Sequence, residues 1–139
     1  MNAAQRKVLS LIQSKLSAII GNLDTVEQMI ADGGDPKSLY EAEVKLSLDD
    51  LDHLQGELQM EADEEQDKFD NLSEGLQQAD SGQAIEAAAG SLQEAADALE
   101  NLIQGLKPPT DWTELGDMLV SAQDDIQGVI DQIDDATNN

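Results

Sequence analysis

The sequence predicts an all-α fold: four amphipathic helices, arranged as antiparallel helical hairpins or an elongated four-helix bundle with coiled-coil-like seams. Three observations predict it. Apolar residues recur at steps of three and four over long stretches, Gly- and Pro-rich breaks punctuate those stretches, and β-branched residues never alternate with polar ones over more than a few positions.

The first helix is expected over residues 3–32. Ile12, Leu16, Ile19, Leu23, Val26 and Ile30 fall at steps of 4, 3, 4, 3 and 4, a coiled-coil seam. Gly33-Gly34-Asp35-Pro36 halts it, because Gly adopts the C-cap conformation and Pro cannot continue a helix. Arg6 and Lys7 ahead of an apolar stretch suggest a secretory leader, but Gln13, Ser14, Lys15 and Ser17 interrupt the run and no small-x-small cleavage site follows.

The second helix is expected over residues 38–71, with Ser38 as N-cap and Glu41 completing a capping box. Tyr40, Val44, Leu48, Leu51, Leu54, Leu58, Ala62 and Phe69 share one arc of about 120°. At 1.5 Å per residue this helix is ~50 Å long. It outreaches its neighbours, so part of its seam is expected to stay uncovered, to be closed by self-association or by a partner's helix.

Residues 72–83 read as a turn, with Asp80 or Ser81 starting a third helix over about 83–106. Its seam is Ile85, Ala89, Leu92, Ala96, Leu99, Ile103 and Leu106, and seven of the fifteen residues from Ala84 to Ala98 are alanine, which permits close helix approach. Lys107-Pro108-Pro109 ends it. The fourth helix opens at Thr110 or Asp111, with Glu114 as a second capping box, and runs to about residue 136. Trp112, Leu115, Leu119, Ala122, Ile126, Ile130 and Ile133 keep the same spacing, and Trp112 is expected to anchor the core.

Residues 1–139 read as a single helical domain. Leu, Ile, Val and Phe supply 33 residues, about a quarter of the chain, above the ~20% below which a highly charged chain stays disordered. No cysteine is present, which excludes disulfide scaffolds, Cys-based zinc sites and thiol nucleophiles. For a chain without cysteine a reducing cytoplasm is the simplest expected compartment, and no run approaches the ~18 apolar residues of a membrane span.

Charge points further. Seven basic residues against 30 acidic ones give a formal net charge of -23 and a pI near 4.1. Like charge disfavours direct binding to nucleic acid or to an anionic membrane, so the expected partner is cationic. The charge is also uneven: residues 1–37 hold four basic and four acidic residues, while residues 38–139 carry the whole excess.

Glu43, Asp50, Glu57 and Glu64 repeat every seven residues on the second helix, with Glu61 beside them, and seven residues advance a helix by ~10.5 Å and nearly two turns. Asp117, Asp124 and Asp131 form a matching row opposite the apolar stripe of the fourth. Neighbouring carboxylates three or four apart stand ~5–6 Å from each other, close to the phosphate spacing of a nucleic-acid strand. A solvated face that keeps a Leu-rich bundle soluble is the competing explanation.

Chemistry of other kinds has no residues to carry it. Catalytic carboxylate pairs need environments that push their pKa values apart, and these lie on polar faces. His53, the only histidine, stands among Asp49, Asp50 and Asp52 and cannot supply a two-His metal site. A calcium loop fails because Leu54 and Gln55 occupy positions that need an oxygen ligand and a glycine. Phosphate-binding Gly-rich loops, HExxH and GxSxG are missing. Neither an enzyme nor a cofactor is expected.

Residues 61–102, EADEEQDKFDNLSEGLQQADSGQAIEAAAGSLQEAADALENL, resemble a segment recurring in small acidic helical proteins of tailed bacteriophages and prophages. The resemblance centres on FDNLSEGLQ at Phe69–Gln77, followed by Ser81-Gly82-Gln83, and covers about a third of the chain. It implies no particular activity and transfers no functional residue. It does imply a setting, the host cytoplasm, in which small acidic phage proteins block nucleases, restriction enzymes or CRISPR effectors by filling their basic channels.

The expectation is therefore a non-enzymatic, nucleic-acid-mimicking inhibitor of a basic nucleic-acid-binding host protein, with Glu43, Asp50, Glu57, Glu61, Glu64, Asp117, Asp124 and Asp131 as contacts. Its rival is a coiled-coil scaffold or phage assembly protein that oligomerises through exposed seams and whose acidity only solubilises.

Overall fold

A computed structural model describes residues 1–138. These residues form helices and short links, with no strand among them. Helix α1 is Ala3–Ala31, α2 is Pro36–Leu39, a π-helical turn covers Tyr40–Val44, α3 is Lys45–Asp70, α4 is Glu74–Gln78, α5 is Asp80–Gly105, and α6 is Leu115–Thr137.

Helix starts depend on local caps. The Asn2 carboxamide accepts from the Gln5 backbone N–H at 2.8 Å and the Gln5 side chain accepts in return, a capping box in which Asn and Gln play the usual parts. At the other end of α1, Gly33 adopts φ +101°, a conformation glycine enters without steric cost. The second helical segment starts earlier than expected. Asp35, not Ser38, is the N-cap: its carboxylate accepts from the Ser38 N–H at 3.1 Å and the Ser38 hydroxyl at 2.7 Å. Pro36 then sits at the first helical position, where its missing N–H costs nothing.

Residues 72–83 are also more helical than expected. Ser73 caps α4, and α5 begins at Asp80 directly after it. Gly82 makes the tight junction feasible, because a Cβ there would stand 2.1 Å from the Leu76 carbonyl oxygen. Of the two candidates for opening the last segment, Asp111 is the cap, accepting from the Thr113 N–H at 3.0 Å; a 3-10 turn, Trp112–Glu114, leads into α6.

One core gathers Leu, Ile, Val and Ala side chains from α1, α3, α5 and α6. Each fully buried Leu or Ile contributes about 1.5–3 kcal/mol. Ala88, Ala89, Ala95 and Ala96 are buried, as the alanine-rich stretch of α5 anticipates. The closest packing runs from α3 to α5, from α5 to α6 and from α6 to α1, whereas α1 meets α3 more sparsely. Gln13 on α1 donates to the Ile130 carbonyl at 3.1 Å, and Gln123 donates to Glu27 at 3.0 Å, so residue numbers rise along α1 as they fall along α6. Between α3 and α5 the Gln59 and Gln93 carboxamides bond reciprocally at 2.8 and 3.1 Å, and the Tyr40 hydroxyl reaches Leu106.

The expected uncovered seam on the long second helix is not found. Tyr40, Val44, Leu51, Leu54, Leu58 and Ala62 are buried and only Leu48 and Phe69 are partly exposed. The reason is that α5 and α1 flank α3, while the Leu106 carbonyl and the Trp112 ring close over Tyr40 at the start of the segment. The exposed apolar side chains lie off the seams, at Val8, Leu11, Met29, Leu46, Met60, Leu76 and Val120.

Candidate functional site

The acidic row of α3 follows directly from heptad spacing on a straight helix. Asp50 and Glu64 are exposed, while Glu57 and Glu61 are half-buried, because this flank of α3 borders α1. Two observations fix that border. A hollow of about 340 Å³ between the helices is lined by Lys15, Ala18, Ile19 and Asn22 from α1 and Asp50, His53 and Leu54 from α3. Nearer the N-terminus of α1, the Gln5 carboxamide donates to Glu61 at 3.4 Å. The row thus lines one side of the α1/α3 groove, and it is not the fully solvated face that spacing alone suggests.

Within the row, Glu57 pairs with His53 Nε2 at 2.9 Å across one helical turn. Glu61 sits where its charge is least comfortable. Loss of water pushes its carboxyl above the ordinary range; the Gln5 hydrogen bond and Lys68 oppose the rise, and the neighbouring Glu64 and Glu65 charges add to it. Glu43 is exposed but lies in the π-helical turn, outside the regular α-helical register that joins Asp50, Glu57 and Glu64.

Heptad counting on the acidic row passes over Glu65. Its side chain is completely buried, with Oε1 bonded to Lys68 Nζ at 3.1 Å and Oε2 without a hydrogen-bond partner. Lys68 Nζ also donates to Gln5 Oε1, tying α3 to α1. The signal was present in the spacing. Leu58, Ala62 and Glu65 continue the buried 4, 3 rhythm, and Lys68 lies three residues on, within reach for an ion pair.

Asp117, Asp124 and Asp131 are all exposed along α6. Asp131 accepts from Gln127 at 3.1 Å, and Asp124 borders a hollow of about 570 Å³ between α5 and α6. This row does not join the first, since α1 and α5 stand between α3 and α6. Glu57, Glu61 and Glu64 form one cluster with Asp50 close by, and the α6 carboxylates form a separate ridge.

Cations are too scarce to neutralise these groups. Among the described residues Lys68 is paired with Glu65 at 3.1 Å, and His53 Nε2 lies 2.9 Å from Glu57. Elsewhere glutamine amides one turn away hold carboxylates in place, as in Gln59–Asp63, Gln66–Asp70 and Gln93–Asp97 at 2.9–3.0 Å. Such bonds orient a carboxylate without cancelling its charge. Among the described residues no three His, Asp or Glu side chains converge as a metal cage, and no helix is long and apolar enough to cross a membrane. What the arrangement does chemically is hold uncompensated anionic groups at fixed spacing on rigid helices, which focuses an attractive field for a cationic surface.

Comparison with protein-family models, curated proteins and solved structures returns no match to this chain.

Proposed function

We propose that this protein is a non-enzymatic acidic binding protein: an elongated antiparallel four-helix bundle that occupies the basic nucleic-acid groove of another protein and excludes its DNA or RNA. The observation that carries this reading is the set of carboxylates at Asp50, Glu57, Glu61 and Glu64, with a second ridge at Asp117, Asp124 and Asp131, on a chain of net charge -23 that offers them almost no cations. Helical rigidity matters, because anionic groups already ordered lose little entropy on docking. Steering by the net charge makes association fast and salt-sensitive. In the phage setting that the Phe69–Gln77 resemblance implies, the target is a host nuclease, restriction enzyme or CRISPR effector, met in the host cytoplasm.

Competition tests this reading. Against a panel of basic nucleases and CRISPR effectors, the chain is expected to displace labelled nucleic acid from at least one of them at low salt and to lose that ability as salt rises. Failure to displace nucleic acid from any member at low salt contradicts it.

A scaffold role remains the second reading, and the exposed apolar side chains on α1 and α3 are what favour it. It predicts stable oligomers and tolerance of carboxylate neutralisation.

A further inference from the structure

The α1/α3 groove carries a feature the acidic rows do not explain. On α1 the buried seam Leu9, Ile12, Leu16, Ile19 and Leu23 is shadowed, one residue earlier at every step, by an outer ridge of Val8, Leu11, Lys15, Ala18 and Asn22, continuing to Met29. On α3 the inner positions Ser47, Leu51, Leu54, Leu58, Glu61 and Glu65 are shadowed the same way by Leu46, Asp50, His53, Glu57, Met60 and Glu64. The hollow of about 340 Å³ takes its walls from both ridges, Lys15, Ala18 and Asn22 facing Asp50 and His53, and its floor from Ile19 and Leu54. The two ridges are therefore the two lips of one groove, along the neighbouring helix pair that packs most sparsely.

The lips are patterned. Residue numbers run in opposite directions, Gln5 meeting Glu61 and Lys68 at one end while Lys15 and Asn22 meet His53 and Asp50 further along. Val8 and Leu11 thus lie near Met60, and Met29 lies towards Leu46. Leu11, Leu46 and Met60 are 54%, 62% and 71% exposed, high for apolar side chains on ordered helices. Between these apolar ends the α3 lip is acidic, with Asp50 and Glu57, and Lys15 is the one ammonium on either lip.

We infer that this groove docks an amphipathic helix of the basic partner, with apolar residues at both ends and Lys or Arg through its middle. The inference rests on the reading above, that the partner is a basic protein. Charge complementarity selects the occupant: the acidic lip attracts a basic helix, whereas a second copy of this chain would set one acidic α3 against another. Leu11 and Met29 are eighteen residues apart, or ~27 Å along the axis, so the docked helix spans about five turns. Laying an apolar stripe into a groove between two helices is an established mode of helix recognition.

The probe is a synthetic helical peptide of about 22 residues, long enough for that span, with Leu at heptad positions in its first and last turns and Lys between. A matched peptide with Glu in place of Lys is the control. The Lys peptide is expected to bind and the Glu peptide not to. Leu11→Ser/Leu46→Ser/Met60→Ser is expected to lower affinity about tenfold or more by removing apolar contact. Glu57→Gln/Glu64→Gln is expected to weaken binding and flatten its salt dependence. Circular dichroism checks that each variant folds, and Leu46→Ser alone repeats the test at a highly exposed position. If the Ser variants bind normally while the Gln variant binds weakly, the acidic row acts without the groove: this inference falls and the proposed function stands. If the Gln variant binds normally, the acidic lip does not select the occupant and this inference falls, while the proposed function is judged by the nucleic-acid competition above. A sedimenting dimer that the Ser variants dissolve names a second copy as occupant and overturns the inference.

Discussion

The Tyr40 hydroxyl donates a 2.5 Å hydrogen bond to the carbonyl oxygen of Leu106, joining the start of the long second helical segment to the end of α5. Both residues are buried, and Trp112 meets the Tyr40 ring edge-on with centroids 5.4 Å apart. Lys107-Pro108-Pro109 follows directly, so this phenol satisfies a carbonyl that the interrupted helix leaves free. Tyr40→Phe keeps the ring and removes the donor. It is expected to cost about 1–3 kcal/mol, the penalty of an unsatisfied buried acceptor, read from the urea midpoint; an unchanged midpoint contradicts the assignment.

Two glycines in α5 are expected to respond in opposite directions. Gly82→Ala drives a methyl group into the Leu76 carbonyl and should destabilise the α4/α5 junction, seen as faster amide exchange there and a lower melting temperature. Gly90 faces open space on the same helix, so Gly90→Ala should stabilise by about 0.5–1 kcal/mol through the lost flexibility of the unfolded chain.

Glu65 and Lys68 should behave as a unit. Lys68→Met strands a buried carboxylate and is expected to cost about 1–3 kcal/mol, towards the lower end because the Lys68 side chain is one-third exposed and water screens the pair. Adding Glu65→Leu should recover most of that loss, since an apolar pair of similar size removes the stranded charge. Equal instability in the single and double variants would contradict a paired role.

Stability should peak at mildly acidic pH. The raised Glu61 carboxyl means that the folded state binds its proton more tightly than the unfolded chain does, so stability falls as pH rises from the ordinary value of 4.5 through the folded one. Asp35 and Asp111 have the opposite sign. Hydrogen bonds from Ser38 and Thr113 hold their carboxyls below 3.8, so the stability they give is present above that value and is lost as pH falls through the lowered ones. Repulsion within a chain of net charge -23 reinforces the decline towards neutral pH. Thermal melts between pH 3 and 8 should show the maximum, and Glu61→Gln should shrink the fall on its neutral side.

The helices were legible because burying an apolar face against other helices imposes 3/4 spacing, and Leu9 to Val26 or Leu115 to Ile133 obey it without interruption. What was not legible depended on competition between neighbouring signals. Asp35 with Pro36 outcompetes Ser38 with Glu41 as a helix start, and Ser73 with Gly82 folds a helical turn where polar residues suggested a loop. For the site, the sequence gives the order of the carboxylates along each helix but not which neighbour each flank meets. That α1 lies against the Glu57–Glu64 flank, half-burying Glu61 and forming a groove with Leu11, emerges only from packing.

The measurement closest to the central claim is the salt dependence of binding to whichever basic nucleic-acid-binding protein the chain displaces nucleic acid from, compared between the native protein and Glu57→Gln/Glu61→Gln/Glu64→Gln. If these carboxylates stand in for phosphates, the variant binds more weakly at low salt and its affinity falls less steeply as salt rises. Identical affinities and identical slopes would contradict it.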